Sequence, residues 1–158
     1  MPSVKSMPPV SVHHVGVQTA DLDNSISWYQ EFFGCTVSWT LDTFSALTHS
    51  RLPGIERLAE LRYGDVRFHH IGVKSGAAER SPAEANQFQH VCFAVSSPTE
   101  LEAWRSRWLE LYACGRWTFA VPERATDIDV DKDGVRSFYA LDPNGLEYEF
   151  TYVPDGPR

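Results

Sequence analysis

One pattern occurs twice in this chain. His14-Val-Gly-Val-Gln-Thr and His90-Val-Cys-Phe-Ala-Val match at a separation of 76 positions, and a helix signal follows each within a few residues. A repeat of this length is read as a supersecondary unit that cannot bury its apolar face alone. The fold expected of the chain is therefore two copies of one unit.

In the first copy, residues 10–19 alternate as a strand, with His14, Gly16 and Gln18 on one face and Val15, Val17 and Thr19 on the other. Asp21 then caps a helix in which Leu22, Ile26, Tyr29 and Phe33 recur at helical spacing, and Gly34 stands where a C′ glycine belongs. Residues 35–41, 57–63 and 66–73 read as strands, the last two joined by a Gly64-Asp65 turn. The unit is β-α-β-β-β. Residues 74–87 lack periodicity and read as a connector. The second copy opens with a strand over 88–95 and continues with Ser97-Pro-Thr-Glu100, a capping box with Pro at the first helical position. Leu101, Trp104, Trp108 and Leu111 form its helical stripe, residues 116–121 a strand, and 137–141 with 146–152 a closing hairpin around Asp142-Pro-Asn-Gly145.

One helix for four strands leaves one face of each sheet uncovered. The expected class is α+β: two tandem βαβββ modules (12–73 and 88–152) forming an open eight-stranded cup around a metal site, with a loose arm at 1–11 and a tail at 153–158. The 158 residues, 42% hydrophobic, fit a single domain with a sizeable core. A net charge of -7 without a Lys/Arg cluster disfavours nucleic acid and anionic membrane as partners. Three widely spaced cysteines imply reduced thiols and a cytoplasmic protein. Residues 1–10 have neither a signal-peptide core nor a membrane span.

In the last strand Glu149 and Glu147 share a face. An inward carboxylate is costly unless a charge meets it, and a cup built from matching strands brings His14 and His90 toward Glu149. Two histidines and one carboxylate hold a divalent metal with an open side, a set suited to non-haem Fe(II). His13 is expected on the opposite face, as a surface or supporting residue, and Glu147 at the rim. Asp129-Val-Asp-Lys-Asp-Gly134 imitates the start of a calcium loop, but Ala140 stands where the bidentate Glu is needed, so it reads as a solvated acidic loop. Trp28, Trp104 and Trp108 are expected to pack between helices and sheet, and Trp39 and Trp117 to line a pocket for an aromatic substrate.

With His14-Val-Gly-Val, Asp21-Leu, Trp28-Tyr29, Gly34, His90-Val-Cys-Phe-Ala-Val and Asp142-Pro-Asn-Gly followed by Glu149, the chain resembles the vicinal oxygen chelate superfamily. That superfamily includes glyoxalase I, extradiol dioxygenases, methylmalonyl-CoA epimerases and fosfomycin or bleomycin resistance proteins. Phe68-His69-His70-Ile-Gly-Val73 and Ser137-Phe-Tyr139 are similar to the extradiol branch. The resemblance implies Fe(II), with Mn(II), Ni(II) or Zn(II) as alternatives, on His14, His90 and Glu149. It implies His70 as the acid-base residue, directed to the open side of the metal, and Tyr139 as donor to a substrate oxygen. His69 would face away, or else serve as a fourth ligand or supporting residue. Val130 stands where that branch carries another histidine, which points to an unusual substrate.

The expected function is ring cleavage of a catechol-like molecule with O2, in a possible homodimer. The alternatives are a glyoxalase- or epimerase-like enzyme acting through an enediolate, and a metal-free protein that sequesters a small molecule. A four-ligand site that included His69 or His70 would favour the glyoxalase-like alternative.

Overall fold

The computed structural model describes residues 6–74 and 84–155. The first residues of the arm, most of the connector and the end of the tail lie outside the described residues. The first unit is β1 (Val15–Thr19), α1 (Leu22–Phe33), β2 (Thr36–Leu41), α2 (Ala46–Arg51), β3 (Ile55–Tyr63) and β4 (Val66–Val73). The second is β5 (Val91–Ala94), α3 (Pro98–Ala113), β6 (Asp129–Val130), β7 (Arg136–Leu141) and β8 (Glu147–Tyr152). Two four-stranded sheets result, ordered β1-β4-β3-β2 and β5-β8-β7-β6, each mixed because its first strand runs parallel to its last.

The helix signals act as their chemistry requires. Asp21 accepts a hydrogen bond from the Asn24 backbone and Gly34 ends α1 at φ 78, a conformation that costs a residue with a Cβ far more. Ser97 caps α3 through the backbone of Glu100, with Pro98 in the first turn. Three expectations need correction. β1 begins at Val15, so His13 and His14 lie outside the strand. The edge strand of the second sheet is at Asp129–Val130 and not at 116–121. The latter segment is drawn toward α1, where the Trp117 indole donates to Ser27 Oγ at 3.2 Å. Trp117 is thereby buried. The third is α2, a short helix capped by Ser45, which has too few apolar positions to register as a period.

The apolar faces of the two sheets share one core. Phe33 of α1 meets Phe93 of β5 and Tyr148 of β8 at ring separations of 5.6 and 5.7 Å. Trp104 of α3 packs on Phe32 of α1 at 5.3 Å, and Trp28 and Trp108 are fully buried, as expected. A polar cluster also joins the units. Tyr29 donates to the buried Asp142 carboxylate at 2.6 Å and lies 2.8 Å from the Tyr148 hydroxyl, while Asn144 bonds Ser25 at 3.0 Å. The turn of the closing hairpin is thus tied to the helix of the other unit. Because both covered faces are turned to this core, the uncovered faces point away from it and from each other. Among the described residues no strand of one sheet pairs with a strand of the other. Among the described residues no helix is long and apolar enough to cross a membrane.

Candidate functional site

The strand registers locate equivalent positions in the two units. Gly16 pairs with His69 and His69 with Glu60 in the first sheet, while Cys92 pairs with Glu149 and Glu149 with Tyr139 in the second. Since Gly16 and Cys92 are repeat equivalents, so are His69 and Glu149, Glu60 and Tyr139, and Arg67 and Glu147. His14 and His90 precede the two first strands in the same way.

On the first open face, His14 stacks on His69 with ring centroids 3.7 Å apart. His13 does not point away, because it precedes the strand and escapes the strict alternation of a ladder. Its Nδ1 lies 2.9 Å from His14 Nδ1. Ligand nitrogens of His13, His14 and His69 all fall within 4.8 Å of one another, the only such group of three His, Cys, Asp or Glu among the described residues. His69 Nε2 donates to Glu60 Oε2 at 2.9 Å, which leaves Nδ1 as the nitrogen with a lone pair. Glu60 is 2% exposed beneath its neighbours' side chains, and the bonds from His69 and Arg62 hold its carboxyl down at about 2. The His14 pKa is lowered, by desolvation and by the adjoining imidazoles. Trp39, part-exposed, stands edge-on to His69 at 5.1 Å.

On the second open face, His90 Nε2 and Glu149 Oε2 are 3.1 Å apart. Tyr139 lies beside both: its ring centroid is 5.6 Å from that of His90, and its phenol feels the Glu149 charge. Burial and the Glu149 charge raise the Tyr139 pKa, so the phenol keeps its proton as a donor. Cys92, whose thiol pKa is pushed up to about 11 by burial and Glu149, completes the group. Next to it, Arg124, Thr126, Tyr139 and Glu147 help line a cavity of about 220 Å³.

The chain therefore joins His90 to Glu149 and Tyr139, and joins His14 to His69, but it does not bring His14 to His90 and Glu149. His69 and His70 exchange the places expected of them. His70 is 0% exposed, packed edge-on against Tyr29 at 4.2 Å with Nδ1 2.9 Å from Ser25 Oγ. Burial, then the nearby His69, depresses its pKa to about 3. Its Nε2 has no hydrogen-bond partner, and it cannot reach the open face, because neighbours on a strand project to opposite sides. Placing His69 against the repeat would have found it, since it is the counterpart of Glu149. The loop at Asp131 to Gly134 is closed by its own backbone: Asp131 Oδ1 accepts from the Asp133 and Val135 backbones.

The second face passes a test of fit for a metal. Gln89 Nε2 bonds Glu147 at 3.3 Å, so its amide oxygen faces His90 Nδ1, which carries the proton and donates to it. His90 Nε2 and Glu149 Oε2, 3.1 Å apart, are then left as two donor atoms that one cation can share. Imidazole and carboxylate together suit Fe, Mn, Ni or Zn.

A family model described as the Glyoxalase/Bleomycin resistance protein/Dioxygenase superfamily matches residues 11–111. No curated protein sequence matches the chain. Among solved structures, a glyoxylase/bleomycin resistance protein/dioxygenase domain from Frankia sp. EAN1pec is similar at TM-score 0.72 and 16% identity, covering 95% of this chain and 96% of that one. A lactoylglutathione lyase from Agrobacterium tumefaciens has TM-score 0.56 and 20% identity over 92% and 96%. The genomically encoded fosfomycin resistance protein FosX from Listeria monocytogenes, complexed with Mn(II) and sulfate, has TM-score 0.57 and 13% identity over 95% and 96%. At these identities the likeness is one of fold.

Proposed function

The chain belongs to the Glyoxalase/Bleomycin resistance protein/Dioxygenase superfamily, and from that premise we propose a metal-dependent enzyme acting on a small molecule that presents neighbouring oxygens to the metal. Each site draws His14 and His69 from one copy of the chain and His90 and Glu149 from a second copy. The observation that carries this reading is that two groups of side chains, His14 with His69 and His90 with Glu149, stand at repeat-equivalent positions on faces turned apart. Charge supports the pairing. The first face carries Arg62 and Arg67 with Glu60 around its imidazoles, and the second carries Glu147 and Glu149 with Arg124 nearby.

The bound metal supplies Lewis acidity, polarising the substrate oxygens. The remaining work falls to the chain. Glu60 fixes the tautomer and ring orientation of His69, as a supporting carboxylate does. Gln89 does the same for His90. Tyr139, protonated and beside Glu149, donates a hydrogen bond to a substrate oxygen. Trp39 excludes water on one side. With His70 in the core, the proton-moving residue of the ring-cleavage reading is absent from the open face, and His69 joins the ligand positions. A non-redox reaction of the glyoxalase or epimerase kind is therefore favoured.

The second reading, Fe(II)-dependent cleavage of a catechol-like ring with O2, is supported by Tyr139 at the carboxylate ligand. Metal analysis of anaerobically purified protein, followed by oxygen uptake on a catechol panel and by isomerisation assays under nitrogen, separates the two. Activity without oxygen consumption is the expected result. Oxygen uptake matched to ring opening establishes the second reading, and a protein that takes up no divalent metal refutes both.

A further inference from the structure

Arg67 is half-buried and has no carboxylate partner among the described residues. It stands on β4 two positions before His69, so both side chains leave the sheet on the open face. Its cross-strand neighbour is another cation, Arg62. Arg62 has its own anion, Glu60 Oε1 at 3.0 Å. Arg67 instead makes a hydrogen bond from Nη1 to His13 Nε2 at 2.9 Å. A guanidinium only donates, so the accepting nitrogen is the unprotonated one and the bond brings no negative charge. Like charges opposite one another on a ladder are destabilising, and a half-buried cation without a counter-ion adds desolvation cost. Both costs fall on Arg67, beside the cluster of imidazoles.

We infer that Arg67 binds the anionic group of the ligand, which is a small organic oxyanion of the carboxylate, phosphate or phosphonate type. A guanidinium offers its donors in a flat fork that two oxygens of such a group match, and among the described residues Nη1 is the sole nitrogen given to protein. His13 links the fork to the ligand positions, its ring 5.2 Å from that of His14 and 5.8 Å from that of His69. A molecule held at its charged end by Arg67 reaches the metal with its other oxygens, and Trp39 flanks its carbon part. This rests on the metal-site reading above and adds the ligand's charge and the residue that selects it. The competing counter-ion is Glu147 of a second copy, the repeat equivalent of Arg67.

The test is calorimetric titration of the full-length protein, with and without Mn(II), using inorganic phosphate, catechol and protocatechuate, which is catechol carrying a carboxylate. Arg67→Gln, Arg67→Lys and Glu147→Gln are measured alongside, with metal content, melting and self-association recorded on the same samples. Arg67→Gln is expected to weaken phosphate and protocatechuate by about 10- to 100-fold, the range of a charge-assisted contact. Catechol affinity and metal content stay unchanged, and Arg67→Lys, which keeps charge but not the fork, lies between. Equal loss for catechol and protocatechuate, or no loss for either anion, overturns the proposal. So does parallel weakening of self-association by Arg67→Gln and Glu147→Gln, which assigns the guanidinium to the second copy. If Arg67→Gln fails to fold, Arg67→Lys decides by the same contrast. Absence of metal uptake by the wild type sinks the metal-site reading, and phosphate titration of metal-free protein still judges Arg67.

Discussion

The two open faces descend from one pattern and have become opposites. In the first unit the positions are held by His14, His69, Glu60 and Arg67; in the second the same positions carry His90, Glu149, Tyr139 and Glu147. The carboxylate of Glu149 replaces an imidazole, and a phenol replaces the carboxylate that orients that imidazole. The backbone diverges as well. The first sheet has long central strands, Ile55–Tyr63 and Val66–Val73, whereas the second opens on four residues, Val91–Ala94, and ends on a two-residue edge. One face holds two ligand imidazoles with Arg62 and Arg67, the other one imidazole with Glu147 and Glu149.

The largest expected effect tests whether the faces meet between copies. His14→Ala and Glu149→Gln should each abolish activity, and equal mixing after dissociation should restore about one quarter of it. Half of the two-fold dimers formed are then mixed, and one of the two sites in each is intact. No recovery on mixing, with both variants folded and dimeric, breaks the idea of complementary faces.

A smaller effect tests whether Glu60 and Tyr139 differ in role as they differ in chemistry. Glu60→Gln should lower metal affinity by about 10- to 100-fold, as loss of a supporting carboxylate does. Tyr139→Phe should leave metal affinity intact and reduce turnover. Metal titration with a competing chelator, beside initial rates, reads both, and equal metal loss in the two variants would erase the distinction.

The polar seam between the units can be opened with Tyr29→Phe. That change leaves the buried Asp142 carboxylate short of a donor, and it should cost about 1–3 kcal/mol, measured by denaturant unfolding. A neutral result would show that Asn144 and the turn backbone suffice to hold the second unit's hairpin.

The smallest effect concerns His70, which has no counterpart in the second unit's chemistry. The folded protein keeps it neutral down to about 3, while the unfolded chain protonates it near 6.5. Below 6.5 the unfolded state binds more protons, so stability falls as pH falls, by at most about 1.4 kcal/mol per pH unit from this group. His70→Gln should flatten the dependence between pH 6.5 and 5. An unchanged slope would assign acid sensitivity to other groups, His14 among them.

Much of the fold could be read from local chemistry. The caps at Asp21, Gly34 and Ser97, the strand at Val66–Val73 and the turn at Asp142 to Gly145 are where composition and spacing place them, because each depends on residues near in sequence. The segment around Trp117 was not legible: its strand-like pattern yields to a contact with Ser27 on α1, 90 residues away. For the site, alternation in β4 required His69 and His70 to face opposite ways, and the sequence carries that. Which of the two turns outward depends on where α1 lies, and Tyr29 and Ser25 of that helix capture His70. The repeat determined by itself that the two units carry equivalent positions, His14 matching His90. Only the tertiary structure decided that one chain holds them apart, because the aromatic faces of both sheets gain more by sharing one core than by each facing water, and that packing directs His14 and His90 away from each other.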